Sequence, residues 1–197
     1  MPKKTFLNPT LSPKLIFLSF LVIFIGVVGA FYAIGKAIVL IQQKNANDNI
    51  SSIEASATAL DAIPLEEKMQ FTDQQWQDFL TPQQFQVLRN QGTEVPYTGE
   101  LLNNHQTGTY VTADCGEPVF RSEQKYDSRT GWPSFTAPID PEAVELRTDI
   151  SGGIERTEVV SKKCGSHLGH VFEDGPEPTG LRYCINSVAL KFIPDEK

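Results

Sequence analysis

The sequence predicts a mainly β (α+β) fold, in which a small antiparallel β domain with short N-terminal helices follows one transmembrane helix. Three observations predict it. An uncharged apolar run lies near the N-terminus, two helix-capping motifs follow, and short β-prone runs separated by Gly and Pro fill the rest of the 197 residues. The composition, 40% hydrophobic and 21% charged, is typical of a packed globular protein.

The apolar run is long enough to cross a membrane. Residues 15–35 contain no charge, and a helix needs roughly 20 residues to span the hydrocarbon core. The basic residues that precede the run are Lys3, Lys4 and Lys14. The positive-inside rule therefore places residues 1–14 in the cytoplasm and the rest of the chain on the periplasmic or extracellular side. A cleaved signal peptide stays open as the alternative, because the small residues 28–30 resemble a cleavage site.

Charge and cysteine count narrow the function. All 24 acidic residues fall after position 47, where they outnumber twelve basic residues and leave a net charge of −12. This balance argues against a nucleic-acid partner. The chain has three cysteines. In an oxidising compartment two of them are expected to pair, which leaves one candidate reactive thiol.

Two short helices are expected next. Residues 42–62 are polar and small, and we interpret residues 36–69 as a linker with some marginal helix. The following stretch contains two capping boxes, Thr72 with Gln75 and Thr81 with Gln84. These motifs predict two helices over residues 72–90. Their expected buried residues are Phe79, Leu80, Phe85, Val87 and Leu88.

Beyond residue 99 the sequence changes to short strands. The β-prone runs are residues 109–112, 118–121, 144–147, 156–160 and 182–193. Gly and Pro separate these runs, and no helical stretch of useful length recurs. We therefore expect one domain over residues 70–197.

The last run, RYCINSVALKF, contains a single thiol. Strand alternation places Arg182, Cys184 and Asn186 on one face. The apolar residues that continue this face are Val188, Leu190 and Phe192. Arg182 favours the thiolate form of Cys184, and the Asn186 amide can bond a neighbouring group or a substrate oxygen. This arrangement favours Cys184 as a nucleophile. The alternatives are that Cys184 is a small buried hydrophobic residue or a metal ligand.

Two other interpretations use the nearby histidines. A Cys2His2 zinc site would consist of Cys115, Cys164, His167 and His170. A Cys-His-Asn hydrolase would use Cys184, a histidine and Asn186. Strand geometry speaks against the hydrolase, because the amide and the thiol would stand side by side instead of flanking the imidazole.

Five sequence blocks carry a resemblance to a known family. They are LTPQQFQVLRNQGTEVPYTGE, GWPSF, RTEVV, HLGHVFEDGP and PTGLRYCINSVALKF. In this order, over about residues 70–195, the chain resembles the type-B methionine sulfoxide reductases. The resemblance implies a β-domain enzyme that reduces the R epimer of methionine sulfoxide, free or in proteins.

The resemblance also implies roles for individual residues. Cys184 matches the nucleophile, and Trp132 matches the tryptophan that receives the substrate methyl group. Matches around the active site are His167, His170, Asp174, Arg182 and Asn186. The chemistry needs an ionised thiol, a proton source and an apolar wall, which Arg182, a histidine, and Trp132 with Phe172 would supply. The product is a sulfenic acid on Cys184. Asp174 either tunes a histidine or caps the following turn.

The sequence departs from the family at the zinc ligands. Many members bind structural zinc through two Cys-x2-Cys pairs, but the matching pairs here are Thr112 with Cys115 and Ser161 with Cys164. Hydroxyl groups are poor zinc ligands, so we predict that the family zinc is absent and that no cofactor is bound. The two remaining cysteines match the same site, which leads to the hypothesis of a Cys115–Cys164 disulfide.

A second departure concerns regeneration of the thiol. Some family members have a resolving cysteine where this chain has Thr130. We therefore expect a thioredoxin-like or other external thiol as reductant, with Cys115 or Cys164 as the alternative. The expected substrates are proteins with methionine R-sulfoxide. A non-catalytic, membrane-anchored module that binds oxidised methionine is the rival interpretation.

Overall fold

The computed structural model describes the backbone of residues 13–196 and the side chains of residue 36 and residues 38–196. The chain divides into two units, residues 1–52 and 53–197. Helix α1 spans Pro13–Asp61. The predicted span, residues 15–35, falls on residues whose side chains are outside the described part. Among the residues that are described, no helix is both long enough and apolar enough to cross a membrane.

Helix α1 extends through most of the predicted linker. Residues 36–61 are helical, where the sequence predicts a polar tether. Near its end Leu60 is only 2% exposed and belongs to the hydrophobic core, and Asp61 accepts a 2.6 Å hydrogen bond from Lys191. The second unit therefore begins before residue 70, because an apolar side chain in the predicted linker packs into the β domain.

Three short helices follow: α2 (Leu65–Lys68), α3 (Asp73–Phe79) and α4 (Pro82–Leu88). The two predicted helices are confirmed as α3 and α4. Both capping boxes are formed, since Thr72 accepts a hydrogen bond from the Gln75 backbone and Thr81 accepts one from Gln84. The buried side chains are Trp76, Leu80, Val87 and Leu88, of which Trp76 was not predicted.

The strands of the described part are β1 (Gly108–Thr112), β2 (Pro118–Arg121), β3 (Lys125–Tyr126), β4 (Ser134–Phe135), β5 (Val144–Asp149), β6 (Arg156–Ser161), β7 (His167–Phe172), β8 (Arg182–Ile185) and β9 (Leu190–Pro194). They form one sheet in the order β2-β1-β9 and a larger one in the order β3-β4-β8-β7-β6-β5. Every pairing between neighbours is antiparallel. The predicted mainly antiparallel β domain is thus confirmed.

The prediction of one strand over residues 182–193 is wrong. A 3-10 helix, Ser187–Ala189, interrupts it, and the two halves lie in different sheets as β8 and β9. The cause is distant in sequence. The buried Glu94 carboxylate accepts hydrogen bonds from the backbone N–H groups of Ser187 (2.7 Å) and Val188 (2.9 Å), which bends the chain away from a strand.

The core brings aromatic side chains from both sheets into contact. The ring centroids of Tyr110 in β1 and Phe135 in β4 are 5.0 Å apart, and those of Phe120 in β2 and Phe135 are 4.4 Å apart. These three side chains are fully buried. This packing fixes the position of the larger sheet, whose central strands are β8 and β7.

Candidate active site

Cys184 lies at the centre of the larger sheet. It pairs with Ser134 on β4 and with His170 on β7, so these three side chains share one face. Beside it is a cavity of about 130 Å³. The cavity is lined by Thr93, Trp132, Arg156, Gly169, His170, Phe172, Cys184 and Asn186. The structure therefore brings five of the predicted site residues together around one small cavity.

Close packing of β7 against the cysteine requires a glycine. A Cβ at Gly169 would clash with the backbone carbonyl oxygen of Cys184. Because Gly169 has no side chain, the two strands approach closely and the cavity beside the thiol stays open.

The environment of the Cys184 thiol favours its neutral form. Burial raises the pKa of Cys184, while the Thr130 hydroxyl and the Arg182 guanidinium act in the opposite direction. The sequence correctly predicts the sign of the Arg182 effect, but burial outweighs it. The expectation of a lowered thiol pKa is therefore wrong for this structure.

Asp174 holds Arg182 in place. Its two carboxylate oxygens accept hydrogen bonds from Nε and Nη2 of Arg182, each at 2.8 Å. The guanidinium carbon also lies 4.4 Å from the ring centroid of Phe172. This ion pair lowers the pKa of Asp174. The carboxylate of Asp174 thus orients the arginine beside the thiol, a role that differs from both roles considered from sequence.

His167 is buried and bonded to Glu158. Its Nδ1 lies 2.7 Å from Oε1 of Glu158, and because a carboxylate only accepts, Nδ1 carries the proton. Burial lowers the pKa of His167, although Glu158 opposes this effect. Within the described residues, its buried Nε2 has no hydrogen-bond partner. His167 does not line the cavity beside Cys184.

His170 is the histidine that lines the cavity. Its Nε2 donates to Oδ2 of Asp149 at 2.8 Å, which leaves Nδ1 as the atom that can exchange a proton. Asp149 also accepts from the Ser151 backbone at 2.8 Å and from Nη2 of Arg156 at 2.6 Å. Hydrogen bonds from Ser151 and then His170 hold the pKa of Asp149 well below its usual value.

Asn186 is held by the backbone and is not free for substrate. Its Oδ1 accepts from the Glu94 N–H at 2.9 Å, and its Nδ2 donates to the Leu168 carbonyl at 3.0 Å. The same Glu94 residue accepts a 3.1 Å hydrogen bond from Nε1 of Trp132 at its carbonyl. Of the two partners predicted for Asn186, a neighbouring group and a substrate oxygen, the structure shows the neighbouring group. The hydrolase interpretation is wrong, because the amide orients backbone groups instead of an imidazole.

The other two cysteines are paired. Cys115 and Cys164 form a disulfide with a Cα–Cα distance of 6.4 Å and a sequence separation of 49 residues. The described residues with metal-ligand atoms within 4.8 Å of one another are Asp114, Cys115 and Cys164, without a histidine. The Cys2His2 interpretation is therefore wrong, since both sulfurs are bonded to each other and His167 and His170 bond acids elsewhere.

The residues at the family's zinc positions do not fit a zinc ion. Oγ1 of Thr112 lies 3.0 Å from Sγ of Cys115, and Oγ of Ser161 accepts from the Cys164 backbone at 3.4 Å. The set therefore offers two hydroxyl groups and two sulfurs that are already bonded. A closed structural site needs four nitrogen or thiolate donors.

Several residues at the site were not predicted individually. They are Thr93, Glu94, Asp149, Arg156, Glu158 and Gly169. Arg156 and Glu158 belong to the RTEVV block, so the resemblance pointed to their strand without assigning them a role. Asp149 gave no local signal, because only the pairing of β5 with β6 and β7 brings it to the histidine.

A single free cysteine beside a fixed arginine and a histidine, in a small cavity with an aromatic wall, defines a thiol-based enzyme on an antiparallel β fold. Residues 80–194 match the family model described as the SelR domain. The chain belongs to this family, that of the type-B methionine sulfoxide reductases, and the resemblance seen in the sequence is confirmed.

Three relatives illustrate the match, each named peptide methionine sulfoxide reductase MsrB. The chain is 54% identical over 121 residues to the protein of Leptospira interrogans, which covers 61% of this chain and 92% of the relative. It is 54% identical over 125 residues to the protein of Thiobacillus denitrificans, and the match covers 64% of this chain and 95% of that relative. It is 52% identical over 129 residues to the protein of Methanosarcina mazei, and the match covers 66% of this chain and 92% of that relative.

Proposed function

We propose that this chain reduces methionine R-sulfoxide, free or in proteins, to methionine, with Cys184 as the nucleophile. The observation that carries the proposal is the free Cys184 thiol in a cavity lined by Trp132, Phe172 and His170. The 54% identity to relatives named as methionine sulfoxide reductases supports the substrate class.

In the reductive step the Cys184 sulfur attacks the sulfoxide sulfur. Overall, one sulfoxide and one thiol give one methionine and one sulfenic acid, so the methionine sulfur gains two electrons and the cysteine sulfur loses two. The sulfoxide oxygen must be protonated as its bond to sulfur breaks. In this proposal His170, whose Nε2–H is held by Asp149, takes the proton of the Cys184 thiol at Nδ1 and delivers it to the sulfoxide oxygen. Trp132 and Phe172 form the wall for the S-methyl group.

Formation of the thiolate depends on Arg182. Burial raises the pKa of Cys184, so some interaction must stabilise the anion when it reacts. Arg182 is fixed by the two hydrogen bonds to Asp174 and needs no rearrangement to provide this charge. His167 packs against His170, and the centroids of the two rings are 5.3 Å apart.

Regeneration of Cys184 uses an external thiol in this proposal. Two thiols reduce the sulfenic acid to the thiol, and they leave as one disulfide and one water. Two observations support an external source. The residue that contacts Cys184 at the resolving position is Thr130, and the other two cysteines are bonded to each other. A thioredoxin-like protein or another dithiol is the expected reductant.

The Cys115–Cys164 disulfide takes the place of the family zinc in this proposal. The two hydroxyl side chains at the zinc positions, Thr112 and Ser161, support it. Metal analysis of the purified chain, together with non-reducing peptide mapping, tests it. Stoichiometric zinc with both thiols free would contradict the disulfide.

An anchored, exported enzyme remains our proposal for the location. The uncharged residues 15–35 and the lysines that precede them support it, and the disulfide suits an oxidising compartment. Membrane fractionation followed by protease treatment of intact and opened cells tests it. A chain that is found in the soluble fraction, and begins after residue 30, would favour the cleaved signal peptide.

The activity is tested by turnover with separate epimers of a blocked methionine sulfoxide and a small-molecule dithiol. We expect many turnovers with the R epimer and none above background with the S epimer. A chain that binds the R epimer but produces no methionine would instead be the non-catalytic binding module.

A further inference from the structure

Cys184 is the end of a chain of hydroxyl groups. Oγ1 of Thr130 lies 3.9 Å from Sγ of Cys184 and 2.8 Å from Oγ of Ser128. Oγ of Ser128 lies 2.7 Å from Oγ of Ser134, which donates to the carbonyl of Trp132 at 3.2 Å. These contacts run without a gap from the thiol to a backbone carbonyl, and Ser134 is fully buried.

The direction of the hydrogen bonds depends on the state of the sulfur. A carbonyl only accepts, so Ser134 donates to Trp132, and Ser134 and Ser128 then accept from the preceding hydroxyls. In that arrangement Thr130 Oγ1 can accept the S–H of a neutral Cys184. A hydroxyl hydrogen rotates freely, so Thr130 can instead turn its O–H toward a thiolate. Ser128 then donates to Thr130 and Ser134 donates to Ser128, which releases the weaker 3.2 Å hydrogen bond to the Trp132 carbonyl.

We infer that Thr130 is a catalytic residue of this chain, which donates a hydrogen bond to the Cys184 thiolate and is held in position by Ser128. The inference rests on the proposed function for its role in catalysis. Thr130, which stands where some relatives have a resolving cysteine, then acts in the reductive step, because its hydroxyl group stabilises the attacking Cys184 thiolate.

The surroundings of the sulfur explain why this donor matters. Burial raises the pKa of Cys184, and the hydrogen bond from Thr130 opposes it, together with the charge of Arg182 and a hydrogen bond from Arg182. The titratable and charged groups around the sulfur are Arg182 on the same strand, Asp174, Arg156 on β6, His170 on β7 and Tyr126 on β3. Arg182 is bonded to Asp174, and both His170 and Arg156 are bonded to Asp149. Thr130 is a neutral hydroxyl 3.9 Å from the sulfur.

The test measures the thiol directly. Because Cys115 and Cys164 are paired, iodoacetamide added to the full-length chain without reductant labels Cys184, and intact-mass analysis gives the rate at each pH. Thr130→Val keeps the shape and removes the hydroxyl. We expect its alkylation midpoint to rise by about one pH unit, which corresponds to roughly tenfold slower labelling near neutral pH. A single stoichiometric reduction of methionine R-sulfoxide should slow by a similar factor.

Three further variants complete the design. Thr130→Ser should restore the wild-type midpoint, and Ser128→Ala should give an intermediate shift without changing residue 130. The control is Thr136→Val, which removes a hydroxyl bonded to the Gln124 carbonyl away from the sulfur, and its midpoint should not move.

Unchanged midpoints in both Thr130→Val and Ser128→Ala would overturn the inference, as would labelling that slows equally at every pH. Shifted midpoints in a chain that reduces no sulfoxide would overturn the proposed function, while supporting the hydrogen bond to the thiolate.

Discussion

Nε2 of His170 lies 2.8 Å from Oδ2 of Asp149, a residue 21 positions earlier in the chain. The same oxygen accepts a hydrogen bond from Arg156, which also lines the cavity beside Cys184. One carboxylate at the end of an edge strand therefore positions two of the side chains that face the substrate.

We expect Asp149→Asn to lower kcat for methionine R-sulfoxide by roughly 10- to 100-fold, a part of what a well-placed general acid contributes. The amide can donate to Nε2 of His170 instead of accepting from it, so Nδ1 is less often the basic atom that takes the thiol proton and passes it on. Steady-state kinetics over a range of pH measures it, and KM should change less than kcat. Glu145→Gln is the control, because Glu145 pairs with Arg147 on the exposed part of the same hairpin. Equal kcat values in the two variants would show that Asp149 has no role in positioning His170.

Trp132 is predicted to act in binding. Replacing it with Ala removes the wall for the S-methyl group, and we expect KM to rise about 5- to 30-fold, which corresponds to roughly 1 to 2 kcal/mol of lost apolar contact. Trp132→Phe keeps an aromatic wall but loses the hydrogen bond to Glu94, so its KM should rise less. If Trp132→Ala lowered kcat alone and left KM unchanged, the assignment as a binding wall would be wrong.

The disulfide is predicted to stabilise the fold without taking part in turnover. It joins residues 49 positions apart. Its removal in the Cys115→Ser/Cys164→Ser variant should lower the free energy of unfolding by about 2 to 4 kcal/mol. Urea unfolding measures this loss, and turnover with a small-molecule dithiol should persist. A variant that completes one reduction but no second would indicate that these cysteines resolve the sulfenic acid.

His167 is predicted to make the protein sensitive to mild acid. Burial lowers its pKa in the folded chain, so between that lowered value and about pH 6.5 the unfolded chain binds more protons. Stability from this histidine is fully present above about pH 6.5 and is lost as the pH falls, by at most ~1.4 kcal/mol per pH unit. Urea unfolding at several pH values should show a shallower slope for His167→Gln.

The matched control for this slope is His105→Gln, since His105 is exposed. The same steep slope in wild type and in His167→Gln would contradict the prediction, because another group would then take up the proton.

Local signals predict the parts of this fold that local interactions form. The capping boxes at Thr72 and Thr81 are complete within four residues, and both helices form where they indicate. The sequence does not predict strand β7, because His167, Gly169 and His170 hide its period. Its first four residues are nonetheless buried, since it lies between two other strands at the centre of the larger sheet.

The errors at the site have a common physical cause, which is contact between residues far apart in sequence. Alternation predicts that the strand of Cys184 continues through Asn186, but the Glu94 carboxylate ends it, 93 positions upstream of Ser187. Alternation likewise places Asn186 beside Cys184, but it does not show that Glu94 and Leu168 are the partners of its amide. The thiol, the histidines and Trp132 could be selected from sequence, because their chemistry is rare, whereas the residues that hold them required the structure.

The central claim is that Cys184 carries the reaction, and a single-turnover experiment tests it most directly. Wild-type chain with its Cys184 thiol reduced is mixed with excess methionine R-sulfoxide without any reductant, and methionine and dimedone-trapped sulfenic acid are quantified together. We predict one methionine per chain and a matching adduct on Cys184, with neither product from Cys184→Ser. Methionine from Cys184→Ser at the wild-type rate, or no methionine from the wild-type chain, would contradict the account.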